Sequence, residues 1–188
     1  EAGREKPRSL TAGHVILAPG SSPLELDHVP LQGDTVVDST GALEFQAVPE
    51  RLGIIGAGDT AMDCARTAWR LSNSKVSVIY RRTIDQMPAD REEVALLKQE
   101  GIEVVELAKP QRLLVEDGHL RGLHCSSMEY RGERDASGRK IPFEVPGSGF
   151  DVPVDTLILA ISQHAILDFF DEEPIAVNQW GYIEADPG

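Results

Sequence analysis

The chain has 188 residues and a formal net charge of −13, from 31 acidic against 18 basic residues. This length suits one large α/β domain, or one domain with pieces of a neighbour, and an apolar fraction of 41% can supply its core. The acidic balance argues against a nucleic-acid partner, and the chain has no run of roughly 18 to 20 apolar residues that would predict a membrane span.

The first predicted element is a short buried strand, HVILA at 14–18, which Pro19 and Gly20 close with a turn. Residues 20–50 are rich in glycine, proline, serine and aspartate. We interpret them as a connecting segment between two structural units rather than as part of a core.

An alternating series of strands and helices follows this segment. The apolar run at 52–56 predicts a buried strand. Met62 and Trp69 lie at helical spacing in a predicted helix over 59–72. The sequence KVSVIYR at 75–81 predicts the next strand of the series.

A second helix is predicted after Asp90. Asp90 and Glu93 form a capping-box pattern, and Val94 and Leu97 supply the apolar stripe. Gly101 is expected to end this helix.

The apolar pattern then changes from helical to alternating, after residues 103–107, which predicts antiparallel strands. Asp117 and Gly118 lie between two alternating runs and are typical of a tight hairpin turn. The run VDTLILAIS at 154–162 predicts another buried strand. The sequence therefore predicts an antiparallel β-meander inserted before the last parallel strand.

A glycine loop lies between the first strand and the first helix of the alternating series. Gly56, Gly58 and Ala61 fit the pattern G-x-G-x-x-A. In this motif the first glycine permits a tight turn, the second lets a phosphate approach the backbone, and the small third residue lets helix and strand pack closely. Because a predicted strand precedes it and a predicted helix follows it, we interpret it as a dinucleotide-binding loop, the alternative being a structural turn.

The residues after the second strand indicate which dinucleotide binds. An acidic residue usually meets the unphosphorylated ribose about 20 positions beyond the loop, whereas this chain has Arg81 and Arg82 there. Two guanidinium groups match a 2′-phosphate, which favours NADP over NAD. The alternative is that one arginine pairs with nearby acids and the other is solvated.

The cysteines and histidines predict no metal or redox site. Cys64 and Cys125 form no C-x-x-C motif, and the five histidines lack metal-ligand spacing. We expect Cys64 to be a small buried thiol on the helix behind the loop. No signal peptide is recognised, so the expected location is the cytoplasm.

Several phrases together resemble a known family. The similarity is to the pyridine-nucleotide domain of flavoproteins that hold two dinucleotides, such as the glutamate synthase small (β) subunit and the flavin domains of dihydropyrimidine dehydrogenase. The phrases are GAGDTAMDCARTAWRL at 56–71, VSVIYRRT at 76–83, MPADREEV at 87–94 and VDTLILAISQ at 154–163.

The resemblance implies a three-layer Rossmann-like FAD/NAD(P)-binding fold, with a parallel sheet and an inserted antiparallel β-meander. Residues 51–163 would form the NADP(H)-binding domain. Residues 1–50 would be a return strand and linker from an FAD domain, and 164–188 would begin the return to it. Because residue 1 is Glu and no second glycine loop is present, we expect the middle portion of a longer flavoprotein.

The resemblance also implies a set of cofactor-binding residues and no catalytic side chain. They are Gly56, Ala57, Gly58, Asp59, Thr60, Ala61, Asp63, Arg81, Arg82, Arg91, Ile161 and Gln163. Asp63 matches an acid that faces the nicotinamide, although a first-turn acid favoured by the helix dipole explains it equally well. Ser162 stands where the family usually has glycine.

In such a protein NADP(H) bound here would pass hydride to FAD on a separate domain of the same chain, with an iron–sulfur or large catalytic subunit as a further partner. Alone, the chain should bind NADP(H) and catalyse nothing. Two alternatives stay open: a non-catalytic dinucleotide-sensing module, and an NADH-linked flavoprotein reductase with another electron acceptor. No nucleic-acid or membrane partner is expected.

Overall fold

The computed structural model describes residues 11–16, 18–72, 74–167, 176–178 and 181–184. The chain divides into two compact units, one of residues 23–163 and one of residues 1–22 with 164–188. In chain order the helices and strands are β1 (Ser21–Pro23), β2 (Val36–Asp38), β3 (Arg51–Gly56), α1 (Asp59–Leu71), β4 (Lys75–Ile79), α2 (Arg91–Gln99), β5 (Glu103–Val105), β6 (Ala108–Glu116), β7 (His119–Arg134), β8 (Lys140–Val152), β9 (Thr156–Ala160) and β10 (Gln163–Ala165).

The larger unit is built on a five-stranded parallel sheet with the strand order β2–β9–β3–β4–β5. Both faces of this sheet are covered, which explains the near-continuous apolar runs of its strands. Along β3, Ile54 packs with the side chains of the helical layer, whereas the next residue, Ile55, packs with those of the antiparallel layer. The result is the predicted three-layer α/β arrangement, with the parallel sheet in the middle.

The helices form the first layer. The buried face of α1 consists of small or flexible side chains, namely Ala61, Met62, Ala65 and Ala68. In α2, Val94 and Leu97 are buried as predicted. Arg66 of α1 donates hydrogen bonds to Glu93 and Glu100 at the two ends of α2, so partly buried ion pairs join the two helices.

The antiparallel meander forms the third layer. Strands β6, β7 and β8 pair in sequence order, and Leu123 and Cys125 of β7 are fully buried in the cluster shared with the parallel sheet. The β6–β7 turn is the predicted hairpin, since Asp117 and Gly118 both have positive φ, 50° and 76°. Positive φ at both central residues is typical of a type I′ turn.

The structure of residues 20–50 differs from the prediction that they only connect two units and contribute nothing to a core. Val36 and Val37 in β2 are buried, and β2 pairs with β9 at an edge of the central sheet. The pattern was missed because β2 has only three residues, too few to show a periodicity against the surrounding turn residues.

The predicted strand at 14–18 is also wrong for its described residues. His14 to Ile16 are not in a strand, and Val15 and Ile16 are 75% and 92% exposed. No described strand pairs with them, and an apolar run gains its strand conformation from such pairing and burial.

Two smaller predictions fail for local reasons. Trp69 is exposed, because Ala68 occupies the adjoining buried position of α1. The capping box is only half formed: the Asp90 carboxylate accepts from the Glu92 amide, but Glu93 pairs with Arg66 instead of returning to the Asp90 amide.

The smaller unit is described in part. Strands β1 and β10 form a two-stranded sheet, and the Ser22 hydroxyl lies 2.7 Å from His164 Nε2. In the described ranges, no helix is long and apolar enough to cross a membrane.

Candidate functional site

The glycine loop joins the end of β3 to the start of α1. Gly56 has φ 144°, and a Cβ added there would lie 2.1 Å from the carbonyl oxygen of Ala160 on β9. Glycine is required at this position by the close pairing of two strands, independently of any ligand.

Gly58 differs from Gly56 in both respects. Its φ of −87° is open to any residue, and a Cβ added there would meet no protein atom within 4 Å. Neither backbone conformation nor packing therefore requires glycine at this position. The space that a side chain would occupy is left open directly in front of the N-terminus of α1.

The backbone amides of this terminus are directed to the same place by the helix geometry. The Ala61 amide donates to the Gly58 carbonyl at 2.9 Å. The amides of Gly58, Asp59 and Thr60 have no acceptor among the described residues. Free amides at the positive end of a helix form a binding site for an anion.

Asp59 and Ala61 have structural roles in the loop. The Asp59 carboxylate accepts a hydrogen bond from the Asp90 amide at 2.8 Å, which ties the start of α1 to the start of α2. Ala61 is fully buried against the sheet, as expected for the small third residue of the motif.

A cavity of about 700 Å³ opens above the loop within the larger unit. Its size suits a large organic ligand, since small-molecule sites usually measure about 300–1,000 Å³. Its lining includes eight of the predicted residues, together with Ser162: Gly56, Ala57, Gly58, Thr60, Arg81, Arg82, Ile161 and Gln163. The lining also includes His28 and others near the start of the larger unit, Lys109 and Pro110 of β6, and Arg139.

One side of this cavity is basic. Arg81 is exposed, and its guanidinium has no hydrogen bond or ion pair among the described residues. Partial burial, followed by the positive charges of Arg82 and Arg139, lowers the pKa of Arg81. Arg82 and Arg139 share one acid, Asp135, and Glu25 is the acidic residue of the cavity lining. The three arginines outnumber these acids, and an excess of positive charge attracts an anion.

Arg82 is engaged by the protein itself. Its side chain is 7% exposed, and its Nε donates to the Lys140 carbonyl at 3.0 Å while its Nη2 donates to Asp135 at 3.2 Å. These contacts of Arg82 match the alternative given by the sequence, in which one arginine of the pair forms an ion pair with a nearby acid.

The loop after β9 lies on the cavity with Ile161, Ser162 and Gln163. Ser162 has φ 141°, in the region that favours glycine. Its carbonyl accepts from the Leu24 amide at 3.0 Å. The backbone therefore has the conformation expected for the usual glycine, and serine adopts it under strain.

The structure does not bring every predicted residue to this cavity. Asp63 lines a different cavity of about 460 Å³, beside Cys64 and the 3₁₀ turn Gly41–Glu44. Arg91 donates to the Asp85 carbonyl at 3.3 Å and does not line the larger cavity.

Arg139 was missed by sequence reasoning. It lies on the turn between β7 and β8, far from the loop in sequence, and DASGR at 135–139 looks like an ordinary polar turn. No linear motif links this turn to the segment after β4; only their packing brings them together.

The site fits a dinucleotide phosphate on three observations from this structure. There is open space at Gly58, there are free amides at the start of α1, and there is an arginine without a partner at the end of β4. The described residues contain no group of three or more histidine, cysteine or acidic side chains that could hold a metal ion. Burial raises the pKa of the Cys125 thiol to about 12 and also raises that of Cys64, as expected of thiols that play no part in nucleophilic chemistry.

Comparison with known proteins gives a family match and several relatives. The family model described as pyridine nucleotide-disulphide oxidoreductase matches residues 2–188. The chain is 40% identical over 154 residues to the NADP(+)-dependent formate dehydrogenase subunit beta of Moorella thermoacetica, covering 82% of this chain and 21% of the relative. It is 35% identical over 157 residues to the glutamate synthase (NADPH) small chain of Azospirillum brasilense, covering 82% and 32%. The chain thus spans a third or less of the length of these relatives.

A solved structure agrees on the fold. The thioredoxin reductase of T. acidophilum superposes with a TM-score of 0.65 at 14% identity, covering 89% of this chain and 50% of that one. At this identity the likeness concerns the fold alone. With the parallel sheet and the meander, it confirms the predicted Rossmann-like α/β class.

Proposed function

The chain belongs to the pyridine nucleotide-disulphide oxidoreductase family, and we propose that it is the NADPH-binding domain of an FAD-dependent member. The observation that carries the proposal is the glycine loop: Gly58 leaves open space in front of three free amides, and the same cavity holds Arg81. The amides would hold the pyrophosphate, and Arg81 would bind the 2′-phosphate that distinguishes NADPH from NADH.

The remaining predicted residues take roles around this centre. Gly56, Ala57 and Ala61 shape the loop, and Asp59 anchors it to α2. Ile161 and Gln163 would border the dinucleotide from the loop after β9. Arg82 lines the cavity, while Asp63 and Arg91 lie outside it and are not assigned a contact.

The chemistry of the proposed reaction belongs to the cofactors. When bound, NADPH supplies the hydride that reduces FAD. The residues of this chain bind and orient the dinucleotide, and none needs to give or take a proton. The free amides and the basic side of the cavity supply the local positive charge that a chain of net charge −13 lacks as a whole.

We propose that the FAD is held by a further domain of a longer protein, to which the two ends of this chain contribute. In this proposal the NADPH domain begins near residue 23 rather than residue 51, because β2 belongs to the central sheet. The relatives are named as subunits or chains of NADPH-linked or NADP-linked enzymes, which supports a partner subunit that carries the electrons onward.

The test is calorimetric titration of the 188-residue chain with NADPH and with NADH. We expect NADPH to bind, NADH to bind at least about tenfold more weakly for want of a 2′-phosphate contact, and no NADPH oxidation without flavin. Equal affinity for both would favour an NADH-linked reductase. Absence of binding by either would refute the proposal, and tight binding in an extended protein that holds no flavin would favour a sensing module.

A further inference from the structure

We propose that Arg139, on the turn between β7 and β8, is a second cation for the 2′-phosphate of NADPH beside Arg81, and that Arg82 positions this turn. The inference rests on the proposed function, since it names the residues that would give the same site its preference for NADPH. It makes the inserted meander a part of the specificity site rather than only a packing layer.

The two arginines reach one cavity from different layers of the fold. Arg81 follows β4 of the parallel sheet, Arg139 precedes β8 of the meander, and both line the cavity above the glycine loop. Arg139 Nε donates to Ser137 at 2.9 Å and forms an ion pair with Asp135 at 3.5 Å. The two terminal guanidinium nitrogens of Arg139 make no hydrogen bond with the described residues.

The positive charges of this group act on one another. Arg139 and Arg82 both oppose the positive charge of Arg81. An anion bound between Arg81 and Arg139 would relieve that repulsion. A phosphate has three oxygens that can accept from two guanidinium groups at once, so it matches the donors that the two side chains leave free.

Arg82 has a different role because its side chain is 7% exposed and its Nε and Nη2 already donate to the β7–β8 turn. Its contacts with the Lys140 carbonyl and with Asp135 fasten the β7–β8 turn to the end of β4. Asp135 in turn accepts from the amides of Ser137 and Arg139 at 3.0 and 3.1 Å, which fixes the turn that carries Arg139.

A further contact fastens the same turn. The Lys140 amide donates to Gln86 Oε1 at 3.1 Å, so the backbone next to Arg139 is held from the segment that also carries Arg81. Arg139 is therefore presented to the cavity by a turn with a defined position, although its own side chain is exposed.

The experiment measures affinities of the 188-residue chain for NADPH, NADH and 2′,5′-ADP by calorimetry in the wild type and in Arg139→Gln. The matched control is Arg131→Gln, because Arg131 is an exposed arginine of β7 that stacks over Phe143 and does not line the cavity. We expect Arg139→Gln to weaken NADPH and 2′,5′-ADP about tenfold, as for the loss of one charge-assisted contact. NADH affinity and the thermal unfolding midpoint should not change, and the control should match the wild type.

Arg82→Lys tests the positioning role. Lysine keeps the charge but not the paired donors, so NADPH affinity should fall relative to NADH affinity, with some loss of thermal stability. A merely structural role would lower the thermal midpoint and leave the ratio of the two affinities as it was, which would contradict the positioning role.

The outcomes separate this inference from the proposed function. If the wild type prefers NADPH and Arg139→Gln keeps that preference in full, the inference is wrong and the proposed function stands. If the wild type binds NADPH and NADH equally, the inference and the NADPH assignment both fail. If it binds neither, the proposed function fails as well.

Discussion

Gly56 is required by the packing of the fold, whereas Gly58 leaves space for a ligand. Replacing each glycine by alanine tests this distinction most directly. In Gly56→Ala the new Cβ would lie 2.1 Å from the Ala160 carbonyl oxygen, on a backbone with φ 144°. Strain at positive φ costs about 1–3 kcal/mol, and overpacking costs about 1–3 kcal/mol more. The expected loss is thus about 2–6 kcal/mol, a large part of a total stability of about 5–15 kcal/mol.

Gly58→Ala should behave in the reverse way. The new Cβ meets no protein atom, and the small loss at the helix N-cap is offset by the lower entropy of the unfolded chain, so stability should change by less than about 1 kcal/mol. The methyl group occupies the space proposed for the pyrophosphate. NADPH affinity should therefore fall about tenfold or more, which corresponds to about 1.4 kcal/mol.

Urea unfolding and calorimetric titration of both variants provide the measurement. We expect the urea midpoint of Gly56→Ala to fall by about 1 M or more, given a slope of about 1–3 kcal/mol per M, and that of Gly58→Ala to stay near the wild type. Wild-type NADPH affinity in a folded Gly58→Ala would refute the role of the open space. Wild-type stability in Gly56→Ala would show that the close pairing of β3 and β9 does not constrain this residue.

Two further predictions concern stability. Ser162→Gly should raise the free energy of unfolding by about 0.5–1 kcal/mol, because glycine adopts a positive φ without the strain that serine bears; an unchanged or lower urea midpoint would contradict this. Glu100 is expected to make stability depend on acid pH: burial raises its pKa, but hydrogen bonds from Arg66 and Arg70 outweigh this and hold the pKa below its ordinary value of 4.5. A carboxylate with a lowered pKa stabilises the fold above its unfolded-state pKa and loses that contribution as the pH falls. The wild type should thus be more stable than Glu100→Gln at pH 7, and this advantage should shrink as the pH falls below the ordinary pKa of 4.5. A urea-midpoint difference that stays constant as the pH is lowered through this range would count against the ion pairs.

Much of the central architecture follows from local sequence. The run at 52–56 is apolar throughout because β3 is buried on both faces. Met62 in α1 and Leu97 in α2 belong to apolar stripes at helical spacing, because each helix buries a single face. The hairpin turn follows from Asp117 and Gly118, since both residue types tolerate positive φ.

The failures have a common cause. Val36 and Val37 form a strand only because β9 lies beside them, while Val15 and Ile16 have an apolar pattern but no described strand as a partner. Short segments carry too little periodicity to predict strand pairing, so long-range contacts decide whether they form strands.

The sequence by itself determined the family, the glycine loop and the presence of basic residues about 20 positions beyond it, because these depend on residues close together along the chain. The motif assigned different roles to the two glycines, but the sequence could not tell the two arginines apart. Only the tertiary structure placed Gly56 against Ala160, left Gly58 open, engaged Arg82 with Asp135 and brought Arg139 to the cavity beside Arg81. Each of these distinctions depends on which atoms of a distant segment occupy the neighbouring space: the pairing of β3 with β9 decides it for Gly56, and the packing of the β7–β8 turn against the end of β4 decides it for the arginines.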